Sequence, residues 1–244
     1  MNQWFEKKNR PYIIGHRGAS AHAPENTLAA FRLAREQGAD AIELDAQLCA
    51  SGEVVMLHDD TLDRTTNGKG LLSQWSLDRL RTLDAGAGER VPLLDEVFET
   101  VGRDLLINVE VKIEAVRNTG LEAAVVNVVR RHNIAERILF SSFNPLTVGR
   151  LAALAPDIPR AFIYDSEMPI YLRQVWFGPF VPHQFCHPHH SMVNAHMVEQ
   201  FSKRSLLINT WTVDAPADIQ RMVQCGVHGI IGNSPITMRR EMGD

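Results

Sequence analysis

A closed parallel (β/α)8 barrel of the α/β class, interrupted once by a small insertion, is the fold that three features of this sequence predict. Strand and helix patterns alternate along the chain, giving eight parallel strands, each followed by a helix, once one returning hairpin arm is set aside. Two of the strands are apolar on one side and ionic on the other, which implies a shared polar interior such as the mouth of a barrel. The length agrees, since 244 residues suit a fold that typically needs about 250. We read 1–244 as a single domain with an inserted subdomain at about 60–92.

The first strand, Tyr12-Ile13-Ile14, runs straight into Gly15-His16-Arg17-Gly18, whose glycines allow a tight loop at the strand's C-terminal end. Pro24-Glu25-Asn26-Thr27 reads as a helix start capped by Asn26 or Thr27. Leu28, Phe31 and Ala34 follow at helical spacing, and Gly38 closes the segment. In the next strand Glu43, Asp45 and Gln47 point to one side while Ile42, Leu44, Ala46 and Leu48 point to the other. Only eight residues separate Asp45 from Val54, too few for a parallel crossover. The arm at 54–59 is therefore expected to return antiparallel and carry His58 back beside the carboxylates.

Residues 60–92 are polar, turn-rich and weakly periodic, as expected for a cap rather than a barrel unit. Regularity resumes with a helix at 94–101 and a strand at 106–113. In that strand Asn108, Glu110 and Lys112 share one face, and Ile107, Val109, Val111 and Ile113 the other. Further helices are predicted at 120–132, 145–155, 168–177, 193–202, 216–225 and from 235, with strands at 137–143, 160–164, 181–187, 206–213 and 227–231.

A net charge of -4 gives no electrostatic reason to expect nucleic acid. No stretch approaches the length of a membrane span, the N-terminus lacks a signal-peptide run, and three scattered cysteines suggest a reducing, cytoplasmic setting. The residues leave homo-oligomerisation open.

The chemistry-bearing residues collect at strand ends, where barrel enzymes keep their sites: His16, Arg17, Glu43, Asp45, His58, Glu110 and Lys112. Three carboxylates form a hard-cation set suited to Mg²⁺ or Ca²⁺. Two cations beside such a set call for an anionic substrate, phosphate above all, and two histidines can serve as acid and base near neutral pH. Any one of these charges could belong to a structural ring of ion pairs, but five or six at one rim argue for a site. His183, Cys186, His187, His189 and His190 crowd one stretch with no standard zinc spacing, so no metal is expected there. Trp211, placed on the face of Asn209 and Val213, suits the core, with a role in the substrate wall left open.

Taken in order, Gly15–Gly18 (GHRG), Pro24–Thr27 (PENT), Glu43-x-Asp45, His58-Asp59, Glu110-Val111-Lys112, Ser141–Phe143 (SSF) and Trp211–Asp214 (WTVD) closely resemble the glycerophosphodiester phosphodiesterases of the compact cytoplasmic bacterial kind. The resemblance runs from about Ile13 to Pro235. It implies a phosphodiesterase barrel related to the phosphatidylinositol phospholipases C, acting in lipid and glycerol metabolism on small glycerophosphodiesters. It further implies a divalent metal on Glu43, Asp45 and Glu110, acid and base roles for His16 and His58, and phosphate contacts from Arg17 and Lys112. The chain departs from the family pattern near its end. Gly226-Val227-His228-Gly229 has His228 where the family usually has Asp, and Gly232-Asn233-Ser234-Pro235 stands for Thr-Asp-x-Pro.

The expected activity is metal-dependent hydrolysis to glycerol 3-phosphate and an alcohol, through a cyclic phosphate. One alternative is a lysophospholipase D, which would want an apolar entrance such as 168–180 with Tyr171, Trp176, Phe177 and Phe180. Another is a non-catalytic phosphate-binding barrel.

Overall fold

The computed structural model describes residues 2–113, 119–176, 178 and 180–243. Eight parallel strands close into a barrel: β1 (Tyr12–His16), β2 (Ala41–Leu48), β4 (Leu106–Val111), β5 (Ile138–Ser142), β6 (Arg160–Tyr164), β7 (Phe185–Pro188), β8 (Leu207–Thr210) and β9 (Gly229–Gly232). The ring runs β1-β9-β8-β7-β6-β5-β4-β2 and shuts where β2 pairs with β1. The hairpin arm β3 (Val54–Met56) pairs antiparallel with β2 outside the ring. It is shorter than expected, so His58 sits on the loop beyond it.

The helices are α1 (Leu28–Glu36), α2 (Leu77–Leu80), α3 (Leu94–Val101), α4 (Leu121–His132), α5 (Pro145–Leu154), α6 (Ile170–Arg173), α7 (Ala195–Ser202), α8 (Pro216–Cys225) and α9 (Pro235–Met242). Thr27, not Asn26, caps α1, its side chain accepting from the Ala30 N–H. The helix expected at 168–177 shrinks to α6, and Phe177 lies outside the described residues. None of the described helices is long and apolar enough to cross a membrane.

Period-two alternation sorts the strand residues. Outward-facing Ile13, Ile42, Leu44, Ile107, Val109 and Phe140 pack with Phe31, Val97, Val125, Leu151, Ile219 and Met238 of the helices. Inward-facing residues change character with height. At the floor Tyr12, Ala41, Leu106, Leu139, Ala161 and Phe185 close around Trp4, which a short 3-10 turn, Gln3–Phe5, inserts from below. Trp4 is fully buried and its indole N–H donates to the Arg137 carbonyl at 3.0 Å. One inward step higher come Glu43, Asn108, Ser141, His187 and Asn209, all buried.

Residues around 60–92 have a small core of their own, in which Leu62, Leu72, Leu80, Ala85 and Val91 pack on Val55 and Leu57 of the hairpin arm. These apolar positions are too widely spaced in sequence to register as periodicity.

Candidate active site

Each feature of the site is held by a local device that the motifs provide. In the loop after β1, Gly18 has a φ of +86° and a Cβ there would lie 2.6 Å from the Ala30 backbone, so the turn requires glycine. The turn aims the Arg17 N–H at Glu43 Oε2, 3.1 Å away. The PENT segment clamps Asp45: Asn26 Nδ2 donates to Asp45 Oδ2 at 2.8 Å while its Oδ1 accepts from the Asp45 N–H at 3.2 Å. Gln47, at the end of β2, donates through Nε2 to the carbonyls of Leu57, His58 and Asp59 and so fixes the loop bearing His58.

Asp45 and Glu110 are adjacent in register on β2 and β4, and one ligand atom from each of Glu43, Asp45 and Glu110 lies within 4.8 Å of the others. Burial, then repulsion from Asp45 and Glu110, lifts the Glu43 carboxyl well above its ordinary range. Burial raises Glu110 to about 7 despite Lys112. At Asp45 burial pushes the same way, but Lys112, Arg17 and His58 outweigh it and hold the group low. Arg17 approaches Asp45 Oδ2 at 3.3 Å, and Lys112 Nζ lies 3.2 Å from Glu110 and 3.5 Å from Asp45. Three packed carboxylates thus face two side-chain cations, and Glu43 Oε1 is buried without a partner. This all-oxygen donor set, short of positive charge, fits a hard divalent cation.

The two histidines are anchored alike. His16 Nδ1 lies 2.7 Å from Asn233 Oδ1, leaving Nε2 directed toward Glu43 at 4.0 Å. Burial, then Arg17, keeps this imidazole below its ordinary range, hence neutral and able to accept a proton. His58 Nδ1 lies 2.6 Å from Asp59 Oδ1. Asp59 is in turn held by Arg64 Nε at 2.7 Å, and Arg64 bridges to Glu25, which accepts from Arg17 at 2.8 Å. Hydrogen bonds from Arg64 keep Asp59 far below the usual carboxylate range, so an anion backs His58. Arg64 belongs to the insertion, and nothing in the sequence pattern distinguishes it or Glu25 from other surface charges.

His16, Arg17, Glu43, His58, Glu110 and Trp211 line one cavity of about 70 Å³ together with Asn108, Phe143, Ile163, His187 and Ile231. Lys112 opens instead on a broader pocket of about 870 Å³ that also touches His58, Glu110, Phe143 and Tyr171. Trp211 stands edge-on to Phe143, ring centroids 5.5 Å apart, and its indole donates to the His187 carbonyl at 2.8 Å. Val213 does not share its face: the chain leaves β8 at Thr210 and buries Val213 in the outer core. In the sequence His187 is masked by the histidine-rich run around it. The signal was its parity with the floor residue Phe185 on β7.

The two departures from the family pattern sit at opposite ends of β9. His228 is at the floor, its Nε2 2.9 Å from the Trp4 carbonyl and its ring against Tyr12 and Phe185. Asn233 is at the rim, holding His16.

Residues 16–237 match the glycerophosphoryl diester phosphodiesterase family. The chain belongs to that family. A glycerophosphodiester phosphodiesterase of Caldanaerobacter subterraneus subsp. tengcongensis is 38% identical over 235 residues, covering 93% of this chain and 95% of the relative. Among solved structures, an Oleispira antarctica phosphodiesterase in complex with the product sn-glycerol-3-phosphate superposes with a TM-score of 0.85 at 29% identity, covering 96% of this chain and 98% of that one. A glycerophosphodiester phosphodiesterase from Agrobacterium tumefaciens gives a TM-score of 0.80 at 28% identity, covering 94% and 99%. The family's barrel and the local geometry therefore meet at one rim.

Proposed function

We propose that this phosphodiesterase hydrolyses glycerophosphodiesters to glycerol 3-phosphate and an alcohol, with His16 and His58 as its acid and base. The observation that carries the reading is the pair of histidines, each held through Nδ1 and each leaving Nε2 free, that share one cavity with Glu43 and Glu110 of the three clustered carboxylates. A divalent cation, Mg²⁺ or Ca²⁺, on Glu43, Asp45 and Glu110 would neutralise phosphoryl charge and lower the pKa of the attacking hydroxyl.

His16, neutral and buried, takes the proton of the glycerol C2 hydroxyl as its oxygen bonds to phosphorus. His58, held through Nδ1 by Asp59, gives a proton to the departing alkoxide as the phosphorus–alcohol bond breaks. Intramolecular attack carries an effective-molarity advantage of up to roughly 10⁵ M or more. The histidines then exchange roles while water opens the five-membered cyclic phosphate. Arg17 and Lys112 offset the charge of the phosphoryl oxygens. The broad pocket beside His58 and Lys112 suits the leaving alcohol, and the insertion borders that side with Asp60 and steadies His58 through Arg64 and Asp59. Few, scattered cysteines support a cytoplasmic setting.

A second reading, hydrolysis of lysophospholipids, draws on exposed Ile170, Tyr171, Trp176 and Phe180 beyond β6. Product analysis separates the readings. Glycerophosphocholine should yield glycerol 3-phosphate and choline, whereas release of glycerol and phosphocholine, or turnover of lysophosphatidylcholine alone, would contradict the proposal. A substrate analogue with hydrogen in place of the C2 hydroxyl should bind without turning over; near-normal turnover would mean direct attack by water.

A further inference from the structure

Under the catalytic rim lies a set of polar atoms that the acid–base chemistry does not use. Asn108 is buried and neither its Oδ1 nor its Nδ2 has a hydrogen-bond partner. His187 is fully buried. One ring edge is satisfied, Nε2 lying 3.0 Å from Asn209 Nδ2, while Nδ1 on the other edge has no partner. Both residues line the same small cavity as His16 and His58. Leaving such groups unpaired in an apolar surround is costly, about 1–3 kcal/mol each, so the layer is built to meet polar atoms from elsewhere.

The chemistry of that partner is narrow. Burial pushes His187 down to about 3, so the ring is neutral and offers no charge to an anion. Either tautomer can be present, according to which way the Asn209 amide faces, and Nδ1 is then a donor or an acceptor. A hydroxyl group can pair with both, and with either end of the Asn108 amide. The remaining walls, Phe143, Ile163, Trp211 and Ile231, suit a short carbon skeleton. A cavity of about 70 Å³ holds a few non-hydrogen atoms and leaves no space for an acyl chain.

We infer that His187 and Asn108 form a specificity subsite for the free C1 hydroxyl of the glycerol moiety, which enters the barrel while the alcohol stays in the broad outer pocket. The inference rests on the phosphodiesterase reading and refines it. Attack by the C2 hydroxyl takes place at the rim, and the terminal hydroxyl, one carbon further from phosphorus, reaches the polar layer beneath. A substrate acylated at C1 has neither the hydroxyl nor the dimensions to enter, so the subsite selects deacylated diesters over lysophospholipids. His187 is a substrate-positioning residue in this scheme, not a proton carrier.

The test compares kcat/KM for glycerophosphocholine with that for 2-hydroxypropyl phosphocholine, which keeps the C2 hydroxyl and lacks the terminal one. The unmodified enzyme should prefer glycerophosphocholine by roughly 10- to 100-fold, as expected when a buried hydrogen-bonding site loses its partner. His187→Phe should bring the ratio of the two values close to one, and His187→Gln, which keeps a hydrogen-bonding group, should restore part of it. Equal turnover of both compounds by the unmodified enzyme overturns the subsite whether or not the variants fold, as does an unchanged ratio in a folded His187→Phe or ready hydrolysis of 1-acyl lysophosphatidylcholine. Failure of the unmodified enzyme on both compounds would instead overturn the phosphodiesterase reading, and this inference with it.

Discussion

Asn233 Oδ1 lies 2.7 Å from His16 Nδ1, while the same side chain's Nδ2 donates to Asp214 Oδ2 at 2.5 Å. A carboxylate can only accept, so Asp214 fixes which end of the amide faces the ring, and the Ser20 hydroxyl donates to Oδ1 from a third side at 2.8 Å. His16 must then carry its proton on Nδ1 and keep Nε2 free. Asn233→Leu should lower kcat by about 10- to 100-fold with little change in KM, and Asn233→Asp should recover much of the loss. An unaltered kcat in Asn233→Leu would remove this residue from the account.

If His16 and His58 are the acid and base, both are needed whichever acts first. His16→Ala and His58→Ala should each reduce kcat by about 10² to 10⁴-fold while the melting temperature stays near that of the unmodified protein. Substantial turnover by either variant, measured by glycerol 3-phosphate release, would contradict the acid–base pairing.

Trp4 is the plug of the barrel floor, buried against Tyr12 and Phe185 at centroid distances of 5.9 and 6.3 Å. Trp4→Ala should cost roughly 3–5 kcal/mol of stability, read from the denaturant midpoint. A loss of less than about 1 kcal/mol would mean that the floor closes without it.

The barrel and most of the rim were legible in the sequence, because period-two alternation with charges at strand ends has one economical solution, a ring of parallel strands with a polar mouth. The antiparallel return of the hairpin arm ahead of His58 followed from chain length alone. What stayed hidden depends on contacts between residues remote in sequence. Trp4 sits in an aperiodic N-terminal segment and meets the barrel floor only once the ring has closed. Arg64 looks like one more charge in a polar insertion until it is found bridging Asp59 and Glu25. His187 lay within a histidine-rich run whose composition masked its inward parity, and the short α6 reflects a segment whose anchors, Met168, Leu172 and Val175, hold it to a satellite core.

Asp40 supplies a pH test of the closure between β1 and β2. Its Oδ2 accepts from the Ile13 N–H at 2.8 Å and from Arg10 at 2.6 Å, with Lys8 on the other oxygen. Burial alone would raise this carboxyl, but Arg10, the Ile13 N–H and Lys8 pull it below its ordinary 3.8. A depressed carboxylate stabilises the fold above its unfolded value and loses that contribution as pH falls through the folded one. Asp40→Asn should therefore be less stable than the unmodified protein at about pH 7, with the gap closing below 3.8. A gap in urea midpoint that is constant with pH would rule out this ion-pair contribution.

The claim on which the rest depends is that Glu43, Asp45 and Glu110 hold a cation needed for turnover. The direct measurement is glycerol 3-phosphate release from glycerophosphocholine by protein stripped with EDTA and then titrated with Mg²⁺ or Ca²⁺. Stripping should bring activity down to background, addition of one of the two ions should restore it, and Glu43→Gln, Asp45→Asn and Glu110→Gln should show no return at the same ion concentration. Full turnover by the stripped enzyme, or full recovery in any of the three variants, would contradict it.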